Sequence, residues 1–286
     1  MEKEKILTAY KKLRKQVKKG CYTNENTLLL GEIYLSSLNF LKKMKRVTLI
    51  SKVQNKSYFA FTSNDQLSRA VNQDLFMPDY SKWEQLRNGM EINDITSLSN
   101  NEIQKILYSM AVSFCASIDL IKKRDQKTPG TFFEYFIAYF FSWRVGVEPR
   151  KYIQLLNIDA IEKKLPTDFI FNLGKNQKKF HLPVKISTRE RAIMLWAHQR
   201  LIDGVYGSSR FIGTPVIMTE TKTSQSKKEV IEICLPEQWM LYQNFIAQLK
   251  RIYYLDLPEA YKNLDKKSPS LIVKPFSEFF EEWQRL

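Results

Sequence analysis

Histidine and cysteine are nearly absent from this 286-residue sequence, and each scarcity removes a class of chemistry. Only His181 and His198 are present. A metal centre built mainly from imidazoles is therefore excluded, and a histidine-based nucleophilic triad is poorly supplied. The three cysteines, Cys21, Cys115 and Cys234, are odd in number and far apart. They offer neither a zinc-binding spacing nor a disulfide framework, which fits a reducing, cytoplasmic setting. Long apolar runs are lacking too. The most apolar segment, Phe132 to Trp143, is short and interrupted by Glu134, so no membrane span is expected. The first residues are charged, unlike a signal peptide. There is no internal repeat and no low-complexity tract.

Aromatic residues and positive charge are abundant. Eighteen Phe, 14 Tyr and five Trp, within a hydrophobic fraction of 44%, can supply a real core and argue against disorder. Lys and Arg outnumber Asp and Glu by 45 to 30, a net charge of +15. Such an excess suits a polyanionic partner, nucleic acid first among them.

The order of elements follows from hydrophobic periodicity and turn residues. Residues 1–20 form an amphipathic helix, with Ile6, Leu7, Tyr10, Leu13 and Val17 at helical spacing and lysines on much of the remaining surface. A second helix covers Thr27 to Met44. Two β-runs follow, "RVTLISKV" and "SYFAFT", arranged as a hairpin. A polar helix is expected around Asp65 to Asp74, then a linker or surface excursion over 77–98. The pattern from Asn100 to Ile121 is a long, broadly buried helix. Thr128-Pro129-Gly130-Thr131 predicts a break, with an aromatic helix starting near Thr131. A short helix is expected after Pro149, ending before Lys164, then a hairpin over 168–186 and a helix from about Thr188 to Asp203. "TPVIMTETK" and "EVIEICL" read as two more strands around a turn at Thr223 to Lys228. Pro236 opens a helix through Leu249, and the C-terminus reads as a short strand and a final helix. Alternating helices and strands in the second half predict an α/β core, with a mainly helical N-terminal region. The expected division is 1–110 and 111–286.

Two constellations carry chemistry. Folding "DFIFNL" back on "FHLPVKI" about a centre between Asn176 and Gln177 sets Asp168 opposite Lys185. Directly paired residues in a ladder have Cβ atoms about 4.5–5.5 Å apart, so turn geometry converges the two charges. A carboxylate suits Mg²⁺, which keeps several waters for a substrate phosphate, and a lysine can stabilise the developing phosphorane charge. Alone, such a pair is usually a surface ion pair. Glu134 adds weight, because an acid among Phe132, Phe133, Tyr135 and Phe136 needs a cation or donors nearby. A helix's first turn also stabilises a negative charge there. The second constellation is Arg189-Glu190-Arg191, at the expected start of a helix. Arg can donate two hydrogen bonds to guanine and Glu can accept from cytosine, so the triplet suits adjacent G·C pairs. A charged helix start is its ordinary reading.

Taken together, "TPGTFFE", "PTDFIF", "PVK" and "ISTRER" resemble the PD-(D/E)XK restriction endonucleases, and more narrowly the type II branch that cuts CCGG- and CCNGG-like sites. The resemblance covers about residues 120–245. It implies a restriction-endonuclease-like core, a central mixed β-sheet flanked by helices. It implies an active site of Glu134, Asp168 and Lys185, with Asp168 and Glu134 as Mg²⁺ ligands and Arg189, Glu190 and Arg191 reading C·G pairs. Gln126 and Lys127 are further candidates for base or phosphate contacts. Two departures stand out. One residue separates Pro166 from Asp168, and Pro183 stands two before the lysine, where an acid is usual. In this branch that acid moves to the following helix, where His198 and Gln199 are found. His198 then serves as a metal or water ligand, or Gln199 holds a metal-bound water, or Glu134 alone complements Asp168; a buried structural histidine is the ordinary reading of His198. The implied activity is Mg²⁺-dependent cleavage of double-stranded DNA by a homodimer at a short palindrome. A non-cleaving DNA-binding regulator and a structure-specific repair or recombination nuclease are the alternatives. Residues 1–110 would clamp DNA, mediate dimerisation or read flanking bases.

Overall fold

The structure, a computed structural model, describes residues 2–64, 66–156 and 162–286. Its elements follow one another as α1 (Glu2–Gln16), α2 (Asn24–Leu41), β1 (Lys45–Ser51), β2 (Tyr58–Ser63), β3 (Gln66–Leu67), β4 (Val71–Asn72), α3 (Tyr80–Glu91), α4 (Asn100–Ile121) and α5 (Lys127–Val145). Then come β5 (Arg150–Leu156), β6 (Glu162–Asn172), β7 (Lys179–Leu182), β8 (Val184–Lys185), a 3-10 turn (Arg189–Arg191), α6 (Ile193–Tyr206), β9 (Ile212–Gly213) and β10 (Val216–Ile217). The chain ends with β11 (Thr221–Ser224), β12 (Glu229–Glu232), α7 (Pro236–Phe245), β13 (Ile252–Tyr254), α8 (Leu264–Lys267), β14 (Val273–Pro275) and α9 (Phe279–Glu282). Two compact units result. One is Met1–Tyr139 with Thr221–Ile233; the other is Phe140–Glu220 with Cys234–Leu286. Position 110 lies inside α4.

In the first unit the expected β1–β2 hairpin forms antiparallel, with Lys45 opposite Thr62 and Leu49 opposite Tyr58. The polar helix expected over 65–74 does not form. Asn64 takes a positive φ of 48°, and the chain folds back so that β3 and β4 pair with the free edge of β2. Leu67, Ala70 and Val71 are buried there, which an isolated polar helix could not achieve. The linker expected over 77–98 is also corrected, because α3 occupies its centre. Asp79 caps that helix by accepting from the Ser81 amide at 2.9 Å. Trp83, Leu86 and Met90 form its buried stripe. Gly89 is required by close approach, since a Cβ would sit 2.6 Å from the Asp94 carbonyl oxygen. Helix α4 starts at a full capping box, Ser99 with Glu102. The break expected at 128–131 is absent. Helix α5 begins at Lys127, and Asp125 accepts from the Thr128 amide and hydroxyl. Pro129 falls in the first turn, where its missing N–H costs nothing.

In the second unit the short helix expected after Pro149 is replaced by β5 and the start of β6, paired antiparallel; part of that expectation, 157–161, lies outside the described residues. One four-stranded sheet runs β5-β6-β7-β9 and a second runs β14-β13-β10-β8. The second is wholly parallel. Its strands are short apolar runs, and Val184, Val216, Ile217, Ile252, Tyr253 and Tyr254 are all buried. Pro183 separates β7 from β8, yet His181 faces Gly213 and Val184 faces Val216 with the same offset. Residues 179–185 are thus one extended segment shared by both sheets. Trp196 and Trp239 pack edge to face at 5.3 Å in the core below α6 and α7.

Gly213 also marks a place where no side chain fits. A Cβ there would meet Leu249 Cδ2 at 2.6 Å and Gln199 Oε1 at 2.7 Å. Gly213→Ala is expected to lower unfolding stability by about 1–3 kcal/mol, the usual cost of overpacking. Chemical denaturation of the two proteins measures it, and an unchanged midpoint would contradict the packing described.

Candidate active site

The register of the β6–β7 hairpin corrects the sequence reading in one respect. Phe169 pairs with Leu182 and Asn172 with Lys179. Continuing that ladder sets Asp168 against Pro183, two residues short of Lys185. Pro183 cannot donate to a ladder, and the chain then joins the second sheet as β8. The two charges meet all the same. Lys185 Nζ donates to Asp168 Oδ2 at 2.6 Å, and the Val184 amide donates to the same oxygen at 2.8 Å. The backbone bond fixes the carboxylate, and the lysine, 44% exposed, stays open to solvent.

On the same face of β6 and β7 lies a residue that the motif reading passed over. His181 pairs with Ile170, two residues from Asp168 on the alternating face. It is fully buried, and its Nδ1 lies 2.9 Å from Gln199 Oε1. The Gln199 amide nitrogen donates to Asp203 Oδ1 and to the Phe211 carbonyl, both at 2.9 Å. The glutamine oxygen must therefore accept, which makes Nδ1 the protonated nitrogen and Nε2 a bare acceptor. That Nε2 has no hydrogen-bond partner among the described residues. Gln199 is thus bonded within the protein at both ends of its amide, and it holds His181. His198 is half-buried, its ring 6.5 Å from that of His181.

Burial pushes the His181 imidazole down to about 4 from 6.5. The folded state therefore refuses a proton that the unfolded chain accepts. Stability from this group is complete above pH 6.5 and is lost as pH falls from there towards 4. Thermal melts across that window should show the wild type losing more stability than His181→Asn; parallel curves would contradict the burial argument.

Arg189, Glu190 and Arg191 form the 3-10 turn just after the Lys185 strand. Arg191 is exposed and Arg189 half-buried; the Glu190 side chain lies outside the described residues. Arg189 has a positive φ of 44°, uncommon for a residue with a Cβ. Sequence reasoning also missed Glu220. It lies fully buried and accepts from the Thr188 amide and hydroxyl, the Arg189 amide and the Tyr254 hydroxyl. The only signal was an acid one residue beyond the apolar run Val216-Ile217-Met218. Glu134, half-buried on α5, and the exposed Gln126 and Lys127 belong to the first unit.

Among the described residues, no group of three or more His, Cys, Asp or Glu side chains is placed to hold a metal ion. A closed cage is thus not present among the described residues. An open site is a different matter. Mg²⁺ commonly binds one or two carboxylates and takes its other oxygens from water and substrate phosphate. Asp168 Oδ1, which no donor among the described residues reaches, fits that role.

No family model and no curated protein matches the sequence. Among solved structures, the type IIP restriction endonuclease Kpn2I superposes with a TM-score of 0.79 at 25% identity, covering 100% of this chain and 97% of that one. The chain has a restriction-endonuclease fold. A structure of the restriction endonuclease PspGI with substrate DNA aligns over 99% of this chain and 92% of its own, at 12% identity and a TM-score of 0.40. Within the restriction-endonuclease fold seen here, the expected mixed sheet and flanking helices are both present. No helix among the described residues is long and apolar enough to cross a membrane.

Proposed function

We propose that this protein is a type II restriction endonuclease, hydrolysing both strands of DNA with Mg²⁺ at a short G/C-containing palindrome of the CCGG or CCNGG kind. The observation that carries the reading is the Asp168–Lys185 pair, fixed by the Val184 amide where the two sheets meet, in a fold shared with Kpn2I. The net charge of +15 supports a DNA partner. Bound at Asp168, Mg²⁺ would supply Lewis acidity towards the phosphate and make a coordinated water easier to deprotonate. Lys185 holds a fixed positive charge beside the scissile phosphate and stabilises the extra charge that builds there. Asp168 orients that lysine through their shared hydrogen bond. Arg189, Glu190 and Arg191 read base edges, while Gln126 and Lys127 are proposed as outer contacts. Glu134 and His198 keep their places as the second acid and an accessory ligand on the sequence match. A palindromic site calls for a two-fold homodimer, each protomer cutting one strand. A cytoplasmic location is proposed with the rest.

Digestion of a plasmid with Mg²⁺ tests the reading. Discrete, reproducible fragments with one terminal sequence are expected. Binding without any product would favour the non-cleaving regulator, and ends without a common sequence the structure-specific nuclease.

A further inference from the structure

The triplet's geometry depends on a residue outside it. Thr188 precedes the 3-10 turn as its N-cap, yet its side chain makes no capping bond to that turn. Its hydroxyl donates instead to Glu220 Oε1 at 2.5 Å. The Thr188 amide lies 3.1 Å from each carboxylate oxygen, and the Arg189 amide donates to Oε2 at 3.0 Å. A carboxylate distant in sequence thus does the work usually left to a local cap. It does so where Arg189 departs into the left-handed region, a conformation that persists only when neighbours over-determine it.

Glu220 is itself rigidly placed. The Met218 amide donates to Lys185 O, and the Thr219 amide to Ile186 O, so the ladder beside the catalytic lysine runs on to this residue. From β13 the Tyr254 hydroxyl donates to Glu220 Oε1 at 2.9 Å. The acid has zero exposure, so it touches no solvent and no DNA.

We propose that Glu220 is the positioning residue of the base-reading triplet: through the Thr188 and Arg189 amides it sets the direction in which Arg189 and Arg191 leave the sheet, and ties that direction to the strand carrying Lys185. The proposal rests on the reading that the triplet contacts DNA. Glutamine is nearly isosteric with Glu220. It offers one acceptor where the carboxylate has two, and turns an N–H₂ group towards donors. The turn should then relax while the fold survives.

The test is selection of a pool of 30-base-pair duplexes with a randomised centre, in metal-free buffer, followed by sequencing of the bound fraction. Wild type should enrich one short sequence. Glu220→Gln should lower that enrichment about tenfold, in the range of coupling within one hydrogen-bond network. Adding Glu220→Gln to the Arg189→Ala/Arg191→Ala double variant should cost no further enrichment. Glu282→Gln provides the comparison, since Glu282 is another buried acid, bonded by Arg251, Tyr253 and Lys274. It should lower the melting temperature without altering enrichment. Should Glu220→Gln fail to fold, Thr188→Val removes the bond at the turn alone and should also reduce enrichment. Unchanged enrichment in a folded Glu220→Gln, or a further loss when it is added to the variant lacking both arginines, would overturn the proposal. No effect of the Arg189→Ala/Arg191→Ala double variant by itself would instead overturn the reading of the triplet, and this proposal with it.

Discussion

Lys185→Ala should reduce single-turnover DNA cleavage by a factor of about 10²–10³, the usual cost of removing one preorganised charge from a phosphoryl or oxyanion site. Affinity for DNA without metal should change little, because one lysine among 45 basic residues contributes little to phosphate attraction. The structure explains why the two effects separate. Lys185 touches Asp168 through a single Nζ, whereas the carboxylate keeps its bond from the Val184 amide when the lysine is gone. The acid therefore stays in place, and only the positive charge is lost. Asp168→Asn should be as inactive for a different reason. It keeps an oxygen for the Val184 amide but loses the negative charge that a divalent ion requires. Raising Mg²⁺ should partly restore Asp168→Asn and leave Lys185→Ala unchanged. Rates from gels and affinities from fluorescence anisotropy measure both. A Lys185→Ala protein that cuts at the wild-type rate would remove the pair from the mechanism.

The second large effect concerns discrimination between sequences. Replacing Arg189 and Arg191 together with alanine should narrow the gap between specific and non-specific DNA by about 1–3 kcal/mol for each lost bidentate contact, roughly thirtyfold to about 10⁴-fold jointly. Non-specific binding should weaken far less. The contrast comes from competition binding with a duplex carrying the mapped site and one lacking it, over a range of salt. Base contacts change the ratio and leave the salt slope nearly constant; phosphate contacts lower both affinities and flatten the slope. Equal losses on both duplexes would make the triplet a backbone clamp.

How much of this was legible in the sequence varies with the kind of signal. The meeting of Asp168 and Lys185 was legible, although the route was not. Symmetric folding put the lysine in the ladder with β6, whereas at Pro183 that pairing ends and the segment runs on into the other sheet, where a short side-chain reach closes the gap. Helix α4 was legible because its periodicity is long and its N-terminus carries Ser99 and Glu102. Helix α3 was hidden by turn-like residues that turn out to serve it. Asp79, after Pro78, caps its start, Gly89 makes room for the Asp94 carbonyl, and Asn93 takes a positive φ just past its end. Strand β5 has an apolar pattern too short to set its period, so only its partner β6 decides its conformation. Glu220 and His181 were illegible for a common reason. A buried polar residue is defined by the donors and acceptors that surround it, and for these two the partners lie 18 to 34 residues away along the chain.

The pairing of β1 with β12 delays completion of the first sheet until late in synthesis. Ile50 and Ser51 wait for Glu229 and Val230. As the polypeptide emerges, β2 can cover one edge of β1 within a few residues, but the other edge stays bare until about 180 more have been added. For that interval the nascent sheet offers unpaired backbone groups to any neighbouring strand, including those of sister chains on the same messenger. The late hairpin β11–β12 closes the first unit, so N-terminal fragments ending before Glu229 carry an open sheet edge that the whole protein does not.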